Sequence, residues 1–151
     1  MLITSRRPND CFVVAVCNHY GIRYEDIAEA LYETSINWIM GNGVEPSVAA
    51  ATVADIHRVY ELPVPSWTRN QEGDTGLAMM SHPRLGGHIA SVYKSFIVLE
   101  KGELGILADV LDDGWGIRKW LTVTPTPWAP VSKITDSLPD SFVRLAAPHG
   151  L

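Results

Sequence analysis

The first apolar run of the chain predicts a buried helix over residues 10–20. Every position in Cys11-Phe-Val-Val-Ala-Val-Cys17 is apolar, so this helix has no polar face to turn towards water. Asn9 or Asp10 suits the N-cap, and Gly21 suits the left-handed residue that ends a helix. The β-branched residues leave a strand as the alternative, but the cap and the glycine favour a helix.

Two further helices are predicted before the pattern changes. Residues 24–33 place Ile27 and Leu31 on one stripe, with glutamates elsewhere, as in an amphipathic surface helix. Pro46 suits the first turn of a helix that reaches about Leu62. Prolines then stop it, and residues 63–76 are predicted to form a polar loop that contains Trp67.

The second half of the chain has the pattern of strands. Strands are predicted over residues 76–81, 88–99, 104–110 and 120–124, with a hairpin turn at residues 100–103. Prolines punctuate the segment that follows. Helices followed by antiparallel strands predict the α+β class, with the N-terminal helices packed on a C-terminal sheet.

Composition narrows the class of protein. The 151 residues fit one domain, and 46% hydrophobic residues exclude a disordered chain. The net charge is −5 and the basic residues are scattered, which argues against a nucleic-acid partner. No apolar run approaches the roughly 20 residues of a membrane span, and the N-terminus lacks the pattern of a signal peptide. We therefore expect a soluble cytoplasmic protein.

The two cysteines are predicted to be free thiols. On one helix, Cys11 and Cys17 would stand roughly 9 Å apart along the axis, beyond the limit of about 7 Å for a disulfide. Two cysteines without a CxxC spacing also fail to predict a structural zinc site. We expect a reducing compartment and no metal.

Cys11 is the candidate nucleophile. It opens the predicted buried helix, and the positive end of the helix dipole is expected to lower the pKa of a thiol there. The alternative is a small core cysteine, which is how we interpret Cys17 in its apolar surroundings.

His88 is the candidate base. It follows two glycines at the start of a predicted strand, a position at the rim of the sheet from which it could reach a helix N-terminus. His19 and His57 fall on helices away from Cys11, His82 precedes a proline, and His149 lies in the tail.

The candidate for the acid that orients His88 depends on the hairpin register. A two-residue turn at Lys101-Gly102 would pair Lys94 with Asp109 and bring Asp113 diagonally next to His88. Asp109 and Asp112 are alternates, since a bulge would shift the register by one. A solvated turn without a role in catalysis is the competing interpretation.

These residues, in this order, resemble those of papain-like cysteine peptidases. The likeness is closest to small phage and bacterial forms related to the bacteriocin-leader-processing peptidases, and it covers residues 8–116. It is carried by the opening stretch 9–31 and by the segments 87–92 and 113–115. The resemblance implies a papain-like fold with a Cys11–His88–Asp113 triad, a peptide or protein substrate and no cofactor.

One position departs from the family, which usually has a glutamine six residues before the cysteine as the oxyanion donor. Ser5 stands there in this chain, so Asn9 or the backbone N–H of Cys11 is the candidate replacement. Residues 117–151 fall outside the resemblance. They are predicted to form a strand and a Pro- and Trp-rich tail that packs on the same domain or extends from it.

The residues support two classes of function. The first is a thiol peptidase or amide hydrolase, and acyl transfer to an amine instead of water stays open. The second is a catalytically inactive scaffold that serves as a phage virion, assembly or binding component. In that role Trp120 and Trp128 of the tail would suit an interface with a protein partner. A phage-encoded protein would act in the host cytoplasm or the virion.

Overall fold

The computed structural model describes residues 3–99 and 103–123. Four helices come first: α1 (Cys11–Tyr20), α2 (Tyr24–Thr34), α3 (Ile36–Ile39) and α4 (Pro46–Val59). The strands β1 (Thr75–His82), β2 (Gly86–Tyr93), β3 (Phe96–Leu99) and β4 (Glu103–Ile106) follow. A short helix, α5 (Leu107–Asp112), and a last strand, β5 (Gly116–Thr122), complete the described part. The order confirms the α+β class.

Helix α1 is the centre of the core, as the sequence predicts. All of its residues after Cys11 are buried. It ends at Gly21, whose φ of 72° is left-handed and whose N–H bonds to the carbonyl of Cys17. Tertiary packing therefore overrides the weak helix preference of its valines.

The sheet is antiparallel and has the strand order β4-β3-β2-β1-β5. Three consecutive hairpins join β1 to β4, and β5 then pairs with the free edge of β1. Alternation along β2 puts Ile89 and Ser91 on the face that α1 covers, and Ala90 and Val92 on the opposite face. The second face is covered by α5 and by Trp115.

Two of the predicted strands are wrong. The strand predicted over residues 88–99 is a hairpin, because the chain reverses at Lys94 and Ser95 and Tyr93 pairs with Phe96. Lys94 takes a φ of 57°, a left-handed conformation that lysine rarely adopts, so its residue type does not predict a turn. The strand predicted over residues 104–110 stops at Ile106, where α5 begins.

The predicted hairpin register is also wrong. Strand β4 pairs with β3, so that Leu99 faces Glu103 and Phe96 faces Ile106, one residue away from the register of a two-residue turn. Lys101 and Gly102 themselves lie outside the described residues. Asp109 sits on α5 and therefore does not face Lys94 across a ladder.

Strand β5 ties part of the predicted tail to the sheet. It begins at Gly116, earlier than predicted, and Trp120 is fully buried over Gly76 of β1. Trp120 is therefore a core residue and not a docking residue. Trp128 and the prolines after residue 123 lie outside the described residues.

The buried thiol of Cys17 gives a prediction about stability. Cys17 is completely buried in the apolar core, and burial raises its pKa, so it is a neutral thiol that fills space. Cys17→Ser should lower the free energy of unfolding by about 1–3 kcal/mol, because an unpaired hydroxyl enters an apolar site. Denaturant unfolding measures the loss, and Cys11→Ser at the half-buried position is the control with a smaller expected effect.

The buried histidine of α1 predicts how stability depends on pH. His19 donates from Nε2 to the carbonyl of Val123 (3.0 Å) and accepts at Nδ1 from the Ser91 hydroxyl (2.8 Å). Burial lowers the pKa of His19 to about 4. Between pH 6.5 and 4 the unfolded chain therefore binds a proton that the folded chain does not.

The free energy of unfolding should consequently fall by roughly 3 kcal/mol over that range of pH on account of His19. His19→Gln keeps a donor and an acceptor but cannot titrate. Equilibrium unfolding of both proteins at several pH values isolates the contribution of His19 as the difference between the two curves. Parallel curves would show that His19 is not the titrating group.

Candidate active site

A cleft of about 250 Å³ brings the candidate nucleophile and the candidate base to one place. It lies where the N-terminus of α1 meets the start of β2, so that Cys11 and His88 both line it. Its other walls are apolar and include Phe12, Pro46, Ala49, Met79 and Ile89.

The thiol of Cys11 is half-buried and protonated at neutral pH. Burial is the main cause that raises its pKa, and the negative charge of Asp10 adds to it. Hydrogen bonds from the backbone of Ile89, Phe12 and Cys11 itself act in the opposite direction but are outweighed. The lowered pKa expected at the start of the helix is therefore wrong, because burial of the thiol raises its pKa.

The ring of His88 is packed against an indole. Its side chain leaves β2 on the face that carries Ala90 and Val92, where the ring meets Trp115 edge to face at 5.3 Å between centroids. The sulfur of Cys11 approaches Ile89 from the side of α1. Cys11 and His88 both border the cleft at the start of β2.

A second histidine, which ranked low from the sequence, borders the same indole. The ring of His82 lies 5.2 Å from that of Trp115. Its Nδ1 accepts from the backbone N–H groups of Arg84 and Leu85, so its Nε2 carries the proton and donates to the carbonyl of Asp113 at 2.9 Å. The β1–β2 hairpin register, which sets His82 opposite Gly86, could have placed it near His88.

Asp113 lies next to His82, but it does not lie on a strand beside His88 as predicted. It is the exposed C-cap residue of α5 and not a strand residue paired with β2. Gly114 follows with a φ of 103°, and a Cβ there would stand 3.0 Å from Nε2 of His82, so only glycine fits the turn. Asp109 and Asp112, the alternate acids, are exposed on α5.

The residues before Cys11 are engaged with one another and with the helices. Ser5, at the position of the family's glutamine, donates its hydroxyl to Asp10. Asn9 has a φ of 60°, and its side-chain amide donates to the carbonyl of Gly41 at 2.9 Å. The proposed oxyanion donor Asn9 is therefore bound to the loop after α3, which leaves the backbone N–H of Cys11 as the candidate.

His19 and His57 bond to partners inside the core and do not line the cleft. His57 accepts at Nε2 from the Tyr20 hydroxyl and donates from Nδ1 to the carbonyl of Pro63. His19 bonds to Ser91 and Val123, as described above. Both rings are therefore fully used inside the core.

Two features are absent from residues 3–99 and 103–123. No group of three His, Cys, Asp or Glu residues in that part of the chain could hold a metal ion. No helix there has both the length and the apolar character that a membrane crossing needs.

Comparisons with protein-family models, with curated proteins and with solved structures each gave no match to this chain.

Proposed function

We propose that this chain is a papain-like cysteine peptidase or amide hydrolase, with Cys11 as the nucleophile and His88 as the base. The observation that carries the proposal is the single cleft that both residues line, at the N-terminus of the central helix. The order Cys, His and Asp-Gly-Trp along the chain supports it independently.

The proposed reaction begins when His88 takes the proton of the Cys11 thiol as the sulfur attacks a substrate carbonyl. The new S–C bond puts negative charge on the carbonyl oxygen, next to the backbone N–H of Cys11. The C–N bond then breaks, and the imidazolium gives its proton to the leaving amine. Water, deprotonated by His88, hydrolyses the thioester and restores the thiol.

The raised pKa of Cys11 constrains how this attack can happen. A thiol whose pKa is raised keeps its proton until the sulfur attacks an electrophile, so the proposal needs His88 as a general base and no preformed ion pair. A substrate that fills the apolar cleft would exclude water from the site where the proton passes from Cys11 to His88. Trp115 holds the other side of the imidazole, and the family's third residue is assigned to Asp113 by resemblance.

Alkylation of Cys11 tests the pairing without any knowledge of the substrate. The rate of iodoacetamide labelling at Cys11, mapped by mass spectrometry, should show a pH-dependent step that His88→Gln removes. His82→Gln is the matched control, because that ring packs on the same indole but does not line the cleft. The control should keep the step.

Identical profiles for the parent and His88→Gln would overturn the pairing. Loss of the step in both histidine variants would do the same, because it would trace the effect to packing around Trp115. A step that only His88→Gln removes supports the proposal.

The second candidate is an inactive scaffold that serves in binding or virion assembly. Specific observations favour it: the protonated resting thiol, the exposed position of Asp113 and the engagement of Ser5 with Asp10. It predicts that Cys11→Ala and the parent behave alike in every assay of peptide hydrolysis and partner binding.

A further inference from the structure

The buried carboxylate of Asp10 stands directly before Cys11 and is not used in the proposed reaction. Only 1% of Asp10 is exposed. Its Oδ1 accepts from the Ser5 hydroxyl at 2.7 Å. Its Oδ2 accepts from the Tyr24 hydroxyl at 2.7 Å and from the N–H groups of Arg6 and Arg7 at 2.8 and 3.2 Å. Four donors on two oxygens fit an ionised carboxylate.

This carboxylate does not cap the helix at which it stands. An aspartate at the N-cap normally accepts from the second or third N–H of its own helix. Asp10 makes no such bond, and only its backbone carbonyl serves α1, by accepting from Val14. The N–H groups at the start of the helix are left to other partners, and those of Cys11 and Phe12 act on the sulfur of Cys11.

The donors to Asp10 all come from outside α1 and fasten the N-terminal segment to the helices around it. Arg6 makes an ion pair with Glu25 and lies over the ring of Tyr24. Arg7 donates to the carbonyl of Trp38 and stacks on its indole. The hydrogen bonds to Asp10 thus connect the segment Ser5–Arg7 to the residue that directly precedes Cys11.

We propose that Asp10 is a positioning residue for the Cys11 site: it turns its carboxylate away from α1 to hold Ser5–Arg7 and Tyr24, and so leaves the first N–H groups of the helix to the thiol and its oxyanion. The inference deepens the proposed function and rests on it. The position also carries a cost, because the charge of Asp10 opposes formation of the Cys11 thiolate.

Two variants separate the effect of the hydrogen bonds of Asp10 from the effect of its charge. Asp10→Asn removes the charge and sets an amide among donors, so it should move the midpoint of Cys11 alkylation to lower pH and still lower kcat/KM by about a hundredfold. Tyr24→Phe removes one donor and keeps the charge. It should lower kcat/KM about tenfold, as a smaller misplacement, without moving the midpoint downwards. A mixture of fluorogenic peptide amides is the probe of turnover.

Asp55→Asn is the matched control, because Asp55 is an exposed carboxylate on α4 and carries the same charge. It should change neither quantity. Hydrogen exchange at the amides of Arg6 and Arg7 should quicken in Asp10→Asn and stay as in the parent in the control.

The inference is overturned if Asp10→Asn leaves both the alkylation midpoint and the two amides unchanged, or if its turnover falls only in proportion to the unfolded fraction. If the parent hydrolyses no probe, the proposed function fails separately, and the alkylation midpoint and amide exchange still decide the role of Asp10.

Discussion

Cys11→Ala should abolish hydrolysis of peptide amides while the protein stays folded. The thiol is the group that would form the covalent intermediate, and no other described side chain in the apolar walls of the cleft could replace it. The loss should be at least about a thousandfold, as when a nucleophile is removed from a catalytic triad. Release of a fluorogenic amine measures it.

The control for this result is Cys17→Ala. Cys17 is completely buried in the core and does not line the cleft, so its loss is expected to affect stability more than turnover per folded molecule. Residual activity in Cys11→Ala equal to that of the parent would refute the assignment of the nucleophile and leave the inactive scaffold as the better account.

Gly76→Ala should lower the free energy of unfolding much more than Gly87→Ala, although both substitutions add a single methyl group. A Cβ at Gly76 would overlap the carbonyl oxygen of Leu121 and stand 2.8 Å from the Trp120 ring. Both neighbours are held, the first by the β1–β5 ladder and the second by complete burial. Overpacking of this kind should cost on the order of 3 kcal/mol of unfolding free energy.

Gly87→Ala is the paired control, since the nearest atom to its Cβ would be the Met80 carbonyl oxygen at 3.7 Å, an ordinary contact. Thermal and denaturant unfolding of the two variants should therefore differ clearly. Equal stability would mean that β5 yields to the methyl and is not fixed over β1.

Helices α1, α2 and α4 could be predicted from the sequence because their signals are local, whereas α3 was not predicted and α5 was predicted as part of a strand. Gly21 ends α1 and Pro46 begins α4 as expected, since each acts through its own backbone conformation. The break between β2 and β3 has no such signal, because Lys94 reverses the chain in a conformation that its residue type disfavours.

The site was predicted less well than these helices, because its geometry depends on packing between distant parts of the chain and not on local signals. Cys11 and His88 line one cleft, which fits their predicted places at a helix start and a strand start. The contact between His88 and Trp115 is formed by the packing of a turn and is not a pairing of strands. The raised pKa of Cys11 depends mainly on burial, which cannot be read from residue spacing, and to a lesser extent on the charge of the neighbouring Asp10.

The position of β5 at the outer edge of β1 has a consequence for folding during synthesis. The hairpins from β1 to β4 join neighbours in the chain, whereas β5 must return from residue 116 to reach β1. Until then β1 presents an open hydrogen-bonding edge, and the buried ring of His19 lacks the Val123 carbonyl. A chain interrupted before Gly116 should therefore aggregate through the edge of β1, even though every proposed catalytic residue has already been made.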